Sequence, residues 1–214
     1  MQFKADALLF DLDGTLVDSS AALVCSWTQW AIEHGVSREA FASVATYGRT
    51  SAELIADLLP ADRVAAGLRR IEEIEQASGA SVIALPGARE VTRNLPPGRW
   101  AVVTSSARAL AEARLRGAGL YAPLLVTADD VRHGKPDPEP FLLAAERLGV
   151  EPSRCVVFED APTGITAARA AGMRTVAVVT TYCRDDLHAD VVITELRDVA
   201  VSEDGARLIL RVAA

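Results

Sequence analysis

The chain has 214 residues, 50% hydrophobic and 24% charged, with a net charge of −7. That composition is globular rather than disordered, and the length suits one large domain or one domain carrying an insertion. With an acidic balance and no basic run, it does not read as a nucleic-acid binder, and a small anionic substrate would need a local cation or a metal ion.

The first residues, "MQFKADALLFDLDG", lack the basic region and long apolar stretch of a signal peptide, and no window approaches the length of about 18 apolar residues needed to span a membrane. Three widely spaced cysteines, Cys25, Cys155 and Cys183, form neither a metal-ligand spacing nor a disulfide framework; they read as reduced thiols of a cytoplasmic protein.

Taken in order, short apolar runs recur at 7–10 (ALLF), 100–104 (WAVVT), 124–127 (LLVT), 155–158 (CVVF), 175–179 (TVAVV) and 191–193 (VVI), with a further edge strand at 207–212 (RLILRV). None alternates polar with apolar, as expected of strands buried on both faces. Helical patterns separate most of them: 106–119 and 161–173 each end near a glycine, and 137–149 has Asp137 as N-cap, Pro138 in the first turn and Gly149 at its stop. Strand–helix repetition predicts an α/β fold with a doubly wound, mostly parallel sheet. Residues 16–84 carry apolar residues at helical spacing and no evident strand, and Pro86–Gly87 marks a return to the sheet. The expected organisation is an α/β core of 1–15 and 85–214 with an inserted helical cap of 16–84.

Ligands of such sheets bind beyond the carboxyl ends of the strands. Asp11, Asp13 and Gly14 follow the first strand, and Thr104 and Ser105 end the second. Lys135 follows the third, and Glu159 and Asp160 follow the fourth. Asp11-Leu12-Asp13-Gly14 alone could be a plain turn, a metal site, or a nucleophile with its acid/base partner. Two carboxylates that start on one side of an extended segment repel, and Glu159–Asp160 add charge, so the cluster calls for a hard divalent cation such as Mg²⁺. Only two of the 22 basic residues are lysines, Lys4 and Lys135. A compact ammonium in a Gly-Lys-Pro turn suits contact with a carboxylate and a phosphoryl oxygen together; the plain alternative is a solvated lysine. The hydroxyls of Thr104 and Ser105 could hold an anionic oxygen, and Ser105 or Ser106 could equally cap the next helix.

At this point the residues resemble the haloacid dehalogenase superfamily of hydrolases, whose four motifs occur in order: "FDLDGT", "VVTSS", "GKPDPEP" and "VVFEDAPTGI". The helical insertion resembles the cap of its phosphoglucomutase-like branch, and the later motifs are most similar to small sugar- and polyol-phosphate phosphatases. The resemblance implies Asp11 as nucleophile, Asp13 as acid and then base, and Mg²⁺ held by the Asp11 carboxylate, the Asp13 carbonyl and Asp160, with Glu159 at or just behind the metal. It further implies that Lys135 and Thr104 or Ser105 stabilise the transferring phosphoryl group. A dehalogenase would need neither Asp13 nor Asp160. Residues 16–84 contain no lysine, against phosphonate cleavage and against the alternative of a sugar phosphomutase, which usually draws a lysine from the cap. A binding module that lost its chemistry would not need every motif residue. Arg49, in a Tyr47-Gly48-Arg49 loop, is a candidate substrate contact from the cap or a solvated charge, and Trp27 and His34 read as helix-face residues. The expected partner is a small phosphate ester, without nucleic acid or membrane, in a monomer or weak homodimer.

Overall fold

The computed structural model describes residues 1–44, 51–205 and 207–212. Its centre is a six-stranded parallel sheet built from β2 (Ala7–Phe10), β5 (Trp100–Val103), β6 (Leu125–Val126), β7 (Cys155–Glu159), β8 (Arg174–Val178) and β9 (Val191–Ile193), in the order β6-β5-β2-β7-β8-β9. All four residues of β2 are fully buried, because helices cover both faces. Leu8, Phe10, Val102, Val156 and Phe158 point to one face, where α5 (Ala88–Arg93) and α6 (Arg108–Gly117) contribute Ala88, Val91, Ala111 and Leu115. Ala7, Leu9, Ala101, Val103 and Val157 point to the other, where they meet Phe141, Ala144 and Ala145 of α7 (Glu139–Leu148) and Ala167 and Ala168 of α8 (Pro162–Ala170). Phe10 stacks on Phe158 at 4.7 Å and meets Trp100 edge-on at 6.0 Å, fastening the three central strands together.

Helices α1 (Ser20–His34), α2 (Arg38–Ala42), α3 (Ser51–Leu58) and α4 (Ala61–Ser78) occupy the stretch between β2 and β5, around an apolar cluster of their own formed by Trp30, Ile55, Leu59, Ile71 and Ile74. Trp30 donates its indole N–H to the carbonyl of Gly67 at 2.8 Å, and a Cβ on Gly67 would lie 3.2 Å from the Trp30 ring, so the glycine lets α1 and α4 cross closely. Trp27 and His34 are half-buried on α1; Trp27 meets Trp30 edge-on at 5.4 Å, and His34 stacks on Trp30 at 4.5 Å. Both behave as helix-face residues.

The expectation that 16–84 holds no strand is corrected at its base. β3 (Val17–Asp18) pairs antiparallel with β4 (Ile83–Ala84), so the chain leaves and re-enters through one short ribbon. The segment at 207–212 is likewise no edge of the main sheet. As β11 (Arg207–Val212) it lies between β1 (Gln2–Ala5) and β10 (Val199–Asp204) in a separate antiparallel sheet. Its Leu208 and Leu210 join the core beneath the main sheet, which makes it an inner strand of a second layer. Among the described residues no helix is long and apolar enough to cross a membrane.

Candidate active site

Three neighbouring strands, β5, β2 and β7, end side by side and set the site. The Asp11 amide donates to the Phe158 carbonyl at 2.9 Å, so the β2–β7 ladder runs on until Asp11 itself is fixed at the sheet edge. Gly14 turns the chain away with φ +84°, and its N–H bonds the Val17 carbonyl at 2.8 Å. A Cβ there would lie 2.0 Å from Asp160 Oδ2, so the glycine also opens the space in which the Asp160 carboxylate sits.

Lys135 reaches this edge from the turn before α7, its side chain 5% exposed. Its Nζ donates to Asp11 Oδ1 at 2.6 Å, Glu159 Oε1 at 2.6 Å and the Val103 carbonyl at 3.0 Å. All three ammonium donors are thus engaged, so contact with a substrate oxygen requires sharing or exchanging one of them. The Phe141 ring lies 5.0 Å from the ammonium. Burial opposes the charge of Lys135, but Asp11 and Glu159 outweigh it and hold the ammonium above its ordinary range.

Glu159 curls back on the start of α8: its Oε2 accepts the N–H groups of Asp160 and Ala161, each at 3.0 Å. A Cβ on Gly164 would stand 1.7 Å from Glu159 Oε1, and that carboxylate is tied at both oxygens. A helix-interior Gly→Ala change ordinarily stabilises by about 1 kcal/mol. Gly164→Ala is expected to reverse that sign, losing roughly 1–3 kcal/mol as the crowded carboxylate is displaced, read as a lower midpoint in thermal melting.

Asp13 takes a different partner set. Arg114 Nη1 donates to Asp13 Oδ2 at 2.6 Å, Ser106 Oγ donates to the same oxygen at 3.2 Å, and Arg114 Nη1 also reaches Ser106 Oγ at 3.0 Å. Thr104 is buried, and its hydroxyl oxygen accepts the Ser106 N–H at 3.1 Å, leaving the hydroxyl proton for another acceptor. Ser105 is exposed at the rim. Neither Ser105 nor Ser106 caps the helix as the sequence allowed: the N-cap position of α6 is Ala107, and the Arg108 N–H is taken by Asp129 Oδ2 at 2.8 Å.

Asp11, Glu159 and Asp160 each offer a carboxylate oxygen within 4.8 Å of the others, all buried. Burial, against the opposing pull of Lys135, pushes the Asp11 carboxyl well above its usual range. Burial and then Glu159 push Asp160 up to about 7, against a hydrogen bond from Thr181. Three carboxylates share one ammonium here, and oxygen-only donors of this charge fit a hard divalent cation. A carboxyl whose folded pKa lies above its unfolded value binds more protons when folded, so its contribution to stability falls as pH rises from about 4 to about 7. Chelator-treated protein is therefore expected to melt lower at pH 7.5 than at pH 5.5, with added Mg²⁺ restoring most of the difference.

The structure thus brings Asp11, Lys135, Glu159 and Asp160 into one cluster, with Asp13 and Thr104 beside it and Ser105 further out. Arg49 lies outside the described residues. Three participants escaped the sequence reading. Thr181 bonds Asp160, Thr180 donates its hydroxyl to the Gly14 carbonyl, and Arg114 bonds Asp13. For Arg114 a signal existed: with Leu110, Ala111 and Leu115 it occupies the buried stripe of α6, an unusual place for an arginine.

Residues 5–172 match the family model described as haloacid dehalogenase-like hydrolase. The chain is 39% identical over 207 residues to hexitol phosphatase A of Escherichia coli (strain K12), covering 94% of this chain and 95% of that protein. It is 34% identical over 228 residues to 2-deoxyglucose-6-phosphate phosphatase 1 of Saccharomyces cerevisiae, covering 94% and 92%. Among solved structures, a putative beta-phosphoglucomutase from Thermotoga maritima superposes with a TM-score of 0.71 at 28% identity, covering 89% of this chain and 95% of that one.

Proposed function

Because the chain belongs to the haloacid dehalogenase-like hydrolases, we propose that it is a Mg²⁺-dependent phosphatase of small phosphorylated sugars or polyols that works through an aspartyl-phosphate on Asp11. The observation that carries this reading is the pairing of Asp11 Oδ1 with Lys135 Nζ at 2.6 Å beside a second, separately held carboxylate on Asp13. Lys135 occupies one oxygen of Asp11 and orients the other for attack on phosphorus. Asp13 protonates the departing alcohol and then takes a proton from the water that hydrolyses the aspartyl-phosphate. The Thr104 hydroxyl and the Lys135 ammonium supply donors for the phosphoryl oxygens, with Ser105 at the rim.

Asp11 and Asp160 would hold the metal. As the resemblance implies, Asp13 would add its main-chain carbonyl, while Oδ2 of its side chain is held by Arg114 and Ser106 and Oδ1 is kept for the proton; Glu159, tied at both oxygens, serves better to orient Lys135 than to bind the ion. When bound, Mg²⁺ offsets the charge of the carboxylates and of the incoming phosphate.

Helices α1 to α4 form the cap, divided from the core 1–15 and 85–214 at the β3–β4 ribbon, and substrate choice rests with this 16–84 segment, Arg49 included. The net charge of −7 supports a small ester rather than nucleic acid as substrate, and the exposed Cys25 and Cys183 suit a reducing cytoplasm. The test is phosphate release from a panel of sugar, polyol and nucleoside phosphates, with Mg²⁺ and then with chelator. Release from hexose or polyol phosphates that stops with chelator is expected. Isomerised sugar phosphate without net phosphate release would show a mutase instead, and no turnover by folded, Mg²⁺-loaded protein would defeat both readings.

A further inference from the structure

Arg114 has no place in the reaction as outlined, yet it is 4% exposed and aimed at Asp13 from the middle of α6. Its guanidinium can only donate. At 2.6 Å it holds Asp13 Oδ2 as an acceptor, and Ser106 closes the triangle by accepting from Arg114 and donating to the same oxygen. A proton on Oδ2 would collide with the Arg114 donor and force the Ser106 hydroxyl to turn from donor to acceptor. The other oxygen, Asp13 Oδ1, is buried and has no hydrogen-bond partner among the described residues, and neither has Arg114 Nε. One oxygen is locked and one is left open. Glu75 of α4, a half-buried carboxylate, lies within electrostatic reach of both Arg114 and Asp13.

We propose that Arg114 is the positioning residue of the acid/base carboxylate: with Ser106 it locks Oδ2 of Asp13 as an acceptor and so assigns every proton transfer to Oδ1. The proposal rests on the phosphatase reading given above. In the first half-reaction the Asp11–phosphorus bond forms, the bond from phosphorus to the leaving oxygen breaks, and the proton on Oδ1 passes to that oxygen. In the second, water bonds to phosphorus, the Asp11–phosphorus bond breaks, and Oδ1 receives the proton that the water gives up.

The test uses leaving-group dependence, which a merely structural residue would not move. Glycerol phosphate releases an alkoxide that needs a proton; p-nitrophenyl phosphate releases a phenolate that does not. The value of kcat/KM reports transfer to Asp11, ahead of the water step. Arg114→Met is expected to lower kcat/KM for glycerol phosphate about 100-fold and for p-nitrophenyl phosphate less than about 10-fold, with Arg114→Lys between wild type and Met. In an Asp13→Asn background the Arg114→Met change should have no further effect on either ester. Equal losses on both esters, no loss, or a further loss in the Asp13→Asn background would overturn the proposal. Should Arg114→Met not fold, Arg114→Lys and Ser106→Ala carry the same comparison, and the same three outcomes decide it. If wild type hydrolyses neither ester, or Asp13→Asn keeps full activity on glycerol phosphate, the phosphatase reading itself fails. If Asp13→Asn shows the leaving-group dependence and the Arg114 variants do not, only the positioning role fails.

Discussion

Asp11→Asn is expected to lower phosphate release by at least about 10⁴-fold while leaving the fold intact, because the amide keeps the shape of the carboxylate but cannot attack phosphorus. Stability should move the other way. Asp11 is one of three buried carboxylates around a single ammonium, and burial already pushes its carboxyl well above the usual range. Removing that charge relieves a strain that the metal-free protein carries at neutral pH. The expected melting temperature of Asp11→Asn without metal is therefore equal to or above that of wild type. Mg²⁺ should stabilise the variant less than it stabilises wild type, since one ligand charge is gone. Steady-state phosphate release and paired melting curves with and without Mg²⁺ check both halves.

Lys135→Met is expected to fail on both counts. Asp11 and Glu159 each lose a 2.6 Å partner at a site where their side chains are 10% and 2% exposed, and the Val103 carbonyl loses its donor as well. Breaking a buried pair by removing one member costs about 3–5 kcal/mol. For a chain of this size that is a drop in melting temperature of roughly 6–20 °C. The sign with pH is fixed. Asp11, whose carboxyl burial already pushes up and which would lose the opposing pull of Lys135, must then take up a proton for the variant to stay folded, so its deficit against wild type should be larger at pH 8 than at pH 5. Lys135→Arg should not restore activity, because the planar fork needs more room than an ammonium whose three donors already meet Asp11, Glu159 and Val103.

The two expected results differ in kind: Asp11 is proposed to carry the reaction, whereas Lys135 also ties Asp11, Glu159 and the Val103 carbonyl together at the edge of the sheet. The central strands were legible in the sequence because β2, β5 and β7 are buried on both faces and so read as unbroken apolar runs. Their carboxyl ends then located Asp11, Thr104, Glu159 and Asp160 without reference to side-chain geometry. β1 and β10 were not legible. β1 is four residues with alternating burial, and β10 ends in exposed Ser, Glu and Asp; both become strands only by pairing with β11 near the other end of the chain or beside it. The β3–β4 ribbon has two residues per strand, too few for any periodicity. Within the site, partnerships across long stretches of sequence were invisible. Arg114 and Asp13 are separated by 101 positions, and twenty arginines among 22 basic residues hid the one that is buried among the described residues. Lys135 stood out by its rarity, but not the saturation of its three donors, since the Val103 carbonyl becomes available only when β5 ends beside β2.

In the proposed mechanism the phosphoryl group is transferred to Asp11 itself. The direct measurement is acid quench of Asp13→Asn mixed with p-nitrophenyl phosphate and Mg²⁺, followed by peptide mass spectrometry. This variant retains the nucleophile and lacks the base that clears the aspartyl-phosphate. The expected result is a burst of p-nitrophenol matched by one hydroxylamine-labile phosphoryl group on the peptide carrying Asp11, and no burst when Asp11→Asn is added. A burst with the phosphoryl group on another residue, or a burst that survives Asp11→Asn, would contradict it.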